Sequence, residues 1–194
     1  ADSAFTSLNI PESVTNIGVR AFDNAAITKV TLPSSLVELS TCAFIDSALT
    51  EVTIPGTLKT IDVKCFQGCE NLTKVTIKDG VEEICEKAFW NTGIKEIKIP
   101  SSVKTIGLKI LPEDAEWDVE VGSYAYQFAL ENNCKIKATD AVLKDKTTRL
   151  LADRSIESAP SDKWQKNTFT SNDVRRKWDF SSSLKGGGTY TITF

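Results

Sequence analysis

The sequence predicts a β-rich solenoid of parallel stacked strands over residues 1–137, followed by a smaller β-rich segment over residues 138–194. Three recurrences carry this reading. Phenylalanines fall at Phe22, Phe44, Phe66 and Phe89, prolines at Pro11, Pro33, Pro55 and Pro100, and aliphatic residues at Ile17, Leu39, Ile61, Ile84 and Ile106. The spacing is 22 residues with one step of 23, and the extra residue falls within Gln67–Asn71. A fixed period of this length marks an architecture in which each unit stacks on its neighbours.

Each unit has the same internal logic. In Ile27–Leu39, Val30 and Leu32 alternate with Lys29 and Thr31, the period of a half-buried strand. Pro33 cannot donate to a ladder, so it ends the strand and opens a turn. Leu36 and Leu39 then point inward, and Ala43-Phe44 begins a short helical or irregular return. In the fourth unit Lys78 takes the slot of the proline. One unit has too little core to fold alone, but stacking makes the inward residues continuous. The expected core columns are the phenylalanines and aliphatic residues named above.

Stacking in register predicts the outward columns. The first reads Ser7, Lys29, Glu51, Lys74, Glu96, Asp118, and from Lys29 to Glu96 its sign alternates at every step. The second reads Asn9, Thr31, Thr53, Thr76, Lys98, Glu120, largely a threonine ladder. Lys59, Glu82 and Lys104 alternate again after the turn. Neighbouring strands lie about 4.8 Å apart, so each charge is expected beside an opposite one. The exposed residues Lys29, Thr31, Glu51, Thr53, Lys74, Thr76, Glu96 and Lys98 form the candidate binding face.

The unit resembles that of the BspA-like, or treponemal-type, leucine-rich repeat, approximately L-x-x-V-x-I-P-x-S-V-x-x-I-x-x-x-A-F. Leu49-Thr50-Glu51-Val52-Thr53-Ile54-Pro55 with Ile61 and Phe66 matches it, and five units do so in all. The resemblance implies a leucine-rich-repeat solenoid with short helical returns. It also implies a secreted or cell-surface bacterial protein, extracellular in location, that binds host or bacterial proteins or glycans. It supplies no catalytic residues.

The ends depart from the pattern. Leu111-Pro112 replaces the phenylalanine step, Trp117–Val121 reads as a last strand, and Ser123–Asn133 has helical spacing with Ser123 as N-cap. Residues 112–137 therefore read as a closing unit, as a stacked core requires. Asp2–Phe5 looks like the tail of an earlier unit, so the chain is expected to begin inside a longer array.

A change of charge supports a boundary near Ala138. Residues 1–137 carry 13 basic and 19 acidic side chains, and residues 138–194 carry 10 and 7. In the tail, Thr189–Phe194 alternates after Gly186-Gly187-Gly188, and Trp178-Asp179-Phe180 and Ala141-Val142-Leu143 are further strand candidates. The run Lys177–Phe194 resembles part of a bacterial β-sandwich module. A terminal strand without partners is an open edge, and self-association through it is one expectation.

Composition narrows the function. The net charge of -3 argues against a nucleic-acid partner. No run approaches the ~20 apolar residues of a membrane helix, and no charged start with an apolar run follows Ala1. There is no histidine, which removes Ser-His, Cys-His and His-metal chemistry. Cys42 stands in a column of Arg20, Lys64, Lys87 and Lys109 and is expected to be exposed; Cys65 stands in an alanine column and is expected to be buried. With Cys69, Cys85 and Cys134 they read as free thiols, with one disulfide or a metal or redox role as alternatives.

The acidic run Glu113–Glu120 reads as a solvated face rather than a calcium site. Trp164, Phe169, Trp178, Phe180 and Tyr190 are expected to pack a core rather than a sugar platform. Arg175-Arg176-Lys177 reads as a solvated turn. No cofactor, metal or catalysis is expected. The leading function is adhesion or protein binding, with a carbohydrate-binding accessory module or a structural spacer as alternatives.

Overall fold

A computed structural model describes residues 6–152 and the short segments 168–169 and 191–192, with side chains described through residue 146. The chain divides into two units, Ala1–Lys137 and Ala138–Phe194.

The first unit is a solenoid whose turns each contribute two short strands. The first strand of each turn is β1 (Ser7–Asn9), β3 (Lys29–Thr31), β5 (Glu51–Ile54), β7 (Lys74–Ile77), β9 (Glu96–Ile99) and β11 (Glu116–Val119). The second is β2 (Asn16–Ile17), β4 (Glu38–Leu39), β6 (Thr60–Ile61), β8 (Glu83–Ile84) and β10 (Thr105–Ile106). All pair in parallel. The first set forms the sheets β1-β3-β5-β7 and β9-β11, and the second forms β2-β4 and β6-β8-β10. Between the strands, the carbonyl of Pro11, Pro33, Pro55 and Pro100 accepts from the amide three residues on, at 3.0–3.2 Å. The proline ring thus ends one strand while its oxygen closes the turn to the next.

The inward residues form the expected core. Leu39, Ile61, Ile84 and Ile106 are buried, as are Phe44, Phe66 and Phe89. The phenylalanine rings stack along the axis, with centroids 4.8 Å apart for Phe22–Phe44, 5.5 Å for Phe44–Phe66 and 5.3 Å for Phe66–Phe89. Phe22 is half-buried, and among the described residues it stacks on Phe44 alone.

The return segments are runs of turns, not helices. Arg20, Cys42, Lys64, Lys87 and Lys109 have φ between 53° and 59°, and Asn24, Asp46, Gly68 and Asn91, four residues further on, are also left-handed. Left-handed residues interrupt an α-helix. They also sort the amides. Those of Ala21, Asp23 and Ala25 bond back three residues within their own turn. Those of Arg20, Phe22 and Asn24 cross to the carbonyls of Thr41, Ala43 and Ile45 in the next turn. The pattern repeats at Cys42, Phe44 and Asp46 and again at Lys64, Phe66 and Gly68. The return is thus a third inter-turn hydrogen-bonded row, and it holds each phenylalanine over the next. The extra residue of the 23-residue step is absorbed here, in a tight turn where the Glu70 amide reaches the Gly68 carbonyl at 2.8 Å.

The closing unit differs from the expected register. β11 pairs Glu116 with Glu96, Trp117 with Ile97 and Asp118 with Lys98. Asp118 and Glu120 were expected in those two columns, so the strand has moved by two residues. A two-residue shift keeps the same side chains inward, so alternation alone does not distinguish the registers. Packing does: Trp117 is buried and stacks at 6.0 Å on Phe128 of α1 (Tyr124–Glu131). Ser123 caps α1 by accepting from the Tyr126 amide. The chain then returns beside β11, where Trp117 and Ile136 form a parallel bridge. Glu96 and Glu116, like charges in register, are each paired with a lysine from this return, Lys137 and Lys135 respectively.

The second unit opens with α2 (Asp140–Ala152), and Thr168–Phe169 (β12) pairs in parallel with Thr191–Ile192 (β13). Ala141-Val142-Leu143, expected as a strand, is therefore helical. Thr139 starts the helix, its hydroxyl accepting from the Val142 amide and its carbonyl from the Leu143 amide, and Asp140 suits the positive end of the dipole. Trp164, Trp178, Phe180, Tyr190 and Arg175-Arg176-Lys177 lie outside the described residues, as does most of the run that resembles a β-sandwich module.

Candidate ligand-binding face

The first strands present the predicted columns outward. Lys29, Glu51 and Lys74 stand in register, as do Thr53 and Thr76. Lys29, Thr31, Thr53, Lys74, Thr76, Glu96 and Lys98 are exposed and Glu51 is half-exposed. Alternation along a strand places them there, because their neighbours Val30, Val52, Ile54 and Ile97 are buried.

The charges are only partly paired. Lys29 and Glu51 form an ion pair at 3.4 Å. Glu96 is held by Lys137 of the closing unit rather than by Lys74, and no ladder joins β7 to β9. Among the described residues, Lys74 and Lys98 form no ion pair. The other alternating column is fully engaged: Glu82 meets Lys59 at 3.2 Å and Lys104 at 2.8 Å. Those bonds, the one from Lys104 first, hold the Glu82 carboxyl below its ordinary range.

The threonines divide in the same way. Thr28 and Thr50 donate their hydroxyls to the carbonyls of Thr6 and Thr28, at 2.9 and 3.1 Å. Among the described residues, the hydroxyls of Thr31, Thr53 and Thr76 have no partner within the chain. These three with Glu51, Lys74 and Lys78 line a groove of about 420 Å³ floored by Val30, Leu32 and Val52. The groove thus gathers five of the eight predicted residues. Lys29, Glu96 and Lys98 lie outside its lining.

Cys42, Cys65 and Cys69 are buried thiols, and Cys85 and Cys134 are half-buried. Cys42 is buried, contrary to expectation. Its short side chain stays against the turn, whereas long basic side chains at this position reach past it to solvent. Cys65 is fully buried, and burial pushes its thiol well above the ordinary range. Cys69 donates to the Phe44 carbonyl at 3.0 Å and lies 3.2 Å from the Ser47 hydroxyl; burial raises it too. Cys85, half-buried, is pushed up to about 11, chiefly by burial. Thiols held protonated are poor nucleophiles. All five are unbridged. Among the described residues no group of three or more acidic, cysteine or histidine side chains is placed to hold a metal, and Glu116 is engaged by Lys135.

Sequence and structure comparisons agree with this architecture. The family described as BspA type leucine rich repeat region matches residues 1–113 in six copies, where five units are evident by inspection. Curated proteins gave no match. Among solved structures, the pneumococcal vaccine antigen PcpA is 28% identical, with a TM-score of 0.56 over 60% of this chain and 31% of that one. The chain thus spans about a third of that antigen's length. A leucine rich cell surface protein from Faecalibacterium prausnitzii A2-165 is 27% identical, with a TM-score of 0.42 over 59% of this chain and 38% of that one. A leucine-rich repeat protein from Bacteroides capillosus is 26% identical, with a TM-score of 0.44 over 62% of this chain and 79% of that one. With its period, its stacked parallel strands and a family match over more than half its length, the chain belongs to the BspA-type leucine-rich-repeat family.

Proposed function

We propose that the chain is a secreted or cell-surface bacterial binding protein that presents the groove on β3, β5 and β7 to a protein or glycan ligand and carries out no reaction. One observation carries this reading: among the described residues, the hydroxyls of Thr31, Thr53 and Thr76 stand without a partner beside a Lys74 ammonium that forms no ion pair, in a shallow groove. In the neighbouring column, by contrast, Thr28 and Thr50 donate their hydroxyls to backbone carbonyls. A row of free donors and acceptors at strand spacing suits a ligand that can meet them with hydrogen bonds of its own. The similarity to a pneumococcal vaccine antigen supports exposure at a cell surface. Protonated thiols and the lack of histidine support a role without catalysis.

The test is a binding screen of the full chain against matrix proteins and a glycan array, repeated with Lys29→Ala, Glu51→Ala and Lys74→Ala combined. Loss of a ligand without loss of the folded signal in circular dichroism is expected. Unchanged affinity would remove this face from consideration.

A further inference from the structure

We propose that the return-segment edge carrying Lys64, Lys87 and Lys109, with Trp90 beside it, binds a linear anionic glycan, one bearing sulfate or uronate groups. This edge is separate from the strand groove and has its own charge logic. The two strand-side columns alternate in sign, whereas Lys64, Lys87 and Lys109 repeat one sign in three successive turns. Their backbones are locked in register. The Lys64 amide donates to the Glu86 carbonyl at 3.0 Å and the Lys87 amide to the Leu108 carbonyl at 3.1 Å. The three residues share the same left-handed conformation, with φ of 56°, 57° and 53°. Their side chains therefore leave the solenoid at intervals of about 5 Å. Like charges stacked at this distance repel and destabilise the fold.

Internal compensation is partial. Glu86 pairs with Lys87 at 2.9 Å, and its carboxyl is held low by that bond first and then by Lys64 and Lys109. Asp62 is occupied by the Thr41 hydroxyl at 2.9 Å and the Val63 amide. Among the described residues Lys64 and Lys109 form no ion pair. Lys109 instead lies 5.4 Å from the centre of the Trp90 ring. Two carboxylates, Glu86 and the still-charged Asp62, among three ammonium groups leave a small excess of positive charge along the stripe, on a chain whose net charge is -3.

The width of the stripe favours a glycan over other polyanions. It is one side chain wide, and its interval is comparable with one sugar unit. A nucleic-acid duplex or a membrane would also face the acidic remainder of the surface, and single-stranded nucleic acid would need aromatics stacked along the stripe, where among the described residues Trp90 alone stands beside one of the three lysines. The stripe runs into a cleft of about 380 Å³ whose walls include Trp90, Lys109, Glu113, Asn133 and Lys135, the last of which is paired with Glu116. The Trp90 indole, the Asn133 amide and the Lys109 ammonium suit the face, a hydroxyl and an acid group of a sugar.

The experiment uses the full chain and fluorescence anisotropy with four probes: a labelled heparin oligosaccharide, a labelled oligogalacturonate, a labelled single-stranded DNA of equal charge, and vesicles containing anionic lipid. Binding of one or both glycans is expected, weakened roughly tenfold or more by Lys64→Gln, Lys87→Gln and Lys109→Gln combined, at unchanged circular dichroism. The strand-face variant should leave it unchanged, which separates this edge from the groove of the proposed function. Glu86→Gln, a variant that removes a competing carboxylate, should tighten binding roughly two- to fivefold. Equal affinity of wild type and triple variant, DNA or vesicle binding as tight as that of the glycans, or no gain from Glu86→Gln would overturn the proposal.

Discussion

Gly56 and Gly80 meet backbone to backbone where two successive turns stack. A Cβ on Gly56 would lie 1.9 Å from the carbonyl oxygen of Asp79, and one on Gly80 would lie 2.3 Å from that of Gly56. The approach follows the loss of the proline at Lys78, whose amide is free to bond the Ile54 carbonyl at 3.1 Å. Gly56→Ala should therefore cost about 1–3 kcal/mol, since the neighbour is backbone and cannot step aside. Gly18→Ala has open space around it and should change stability by less than about 0.5 kcal/mol. Urea unfolding of both variants tests the contrast; equal effects would contradict this packing.

The phenylalanine stack makes a graded prediction. Phe44→Ala should destabilise by about 3–5 kcal/mol, as expected for a fully buried aromatic with stacked rings on both sides. Phe22→Ala, half-buried and stacked on one side, should cost about half as much. A loss below about 1 kcal/mol for Phe44→Ala would mean that this column is not the core.

Alkaline pH should weaken the fold. Burial raises the Cys65, Cys69, Cys85 and Cys134 thiols, so above about pH 9 the unfolded chain ionises them before the folded chain does, and for Cys85 the window runs up to about 11. The stabilising contribution is complete below the unfolded value and declines as pH rises through this window. The thermal midpoint should fall from pH 8.5 upward by more in the native chain than in Cys85→Ala. Parallel curves would refute the assignment to Cys85. Ellman's reagent at neutral pH should react slowly with Cys65 and Cys69 in the folded state and fully in guanidinium.

The closing helix gives a fourth test. Ser123 accepts from the Tyr126 amide at 3.1 Å, so Ser123→Ala should cost about 1 kcal/mol. Tyr126 is fully buried, and the effect should appear as loss of near-ultraviolet signal before the solenoid itself unfolds. A single shared transition with no shift would show that the cap contributes nothing at this position.

Much of the solenoid was legible because its physics is periodic. The phenylalanine column, the proline turns and the outward columns each depend on a residue type recurring at a fixed interval, and a stack places such residues together. The left-handed positions were not legible. Arg20, Cys42, Lys64, Lys87 and Lys109 include no glycine to betray them, and at the first four an inter-turn hydrogen bond from the amide accompanies the left-handed conformation. The register of β11 was hidden for the reason that any even shift preserves alternation. Ala141-Val142-Leu143 has the composition of a strand, and only its place after Thr139 and Asp140 marks a helix start. On the candidate face, the positions of the eight residues followed from the pattern. That Thr31, Thr53 and Thr76 keep free hydroxyls while Thr28 and Thr50 do not depends on which way each column faces the backbone of the turn before it.

The third row of hydrogen bonds, along the return segments, bears on how such chains change over generations. Each amide of that row reaches only the adjacent turn. A whole unit can be duplicated or deleted with every bond elsewhere left as it was, because the new junction repeats an old one. A single inserted residue has no such freedom and must be folded away locally, as happens at Glu70-Asn71. Proteins built on this plan are therefore free to vary in length by entire turns, and a binding surface laid along the turns lengthens or shortens with them.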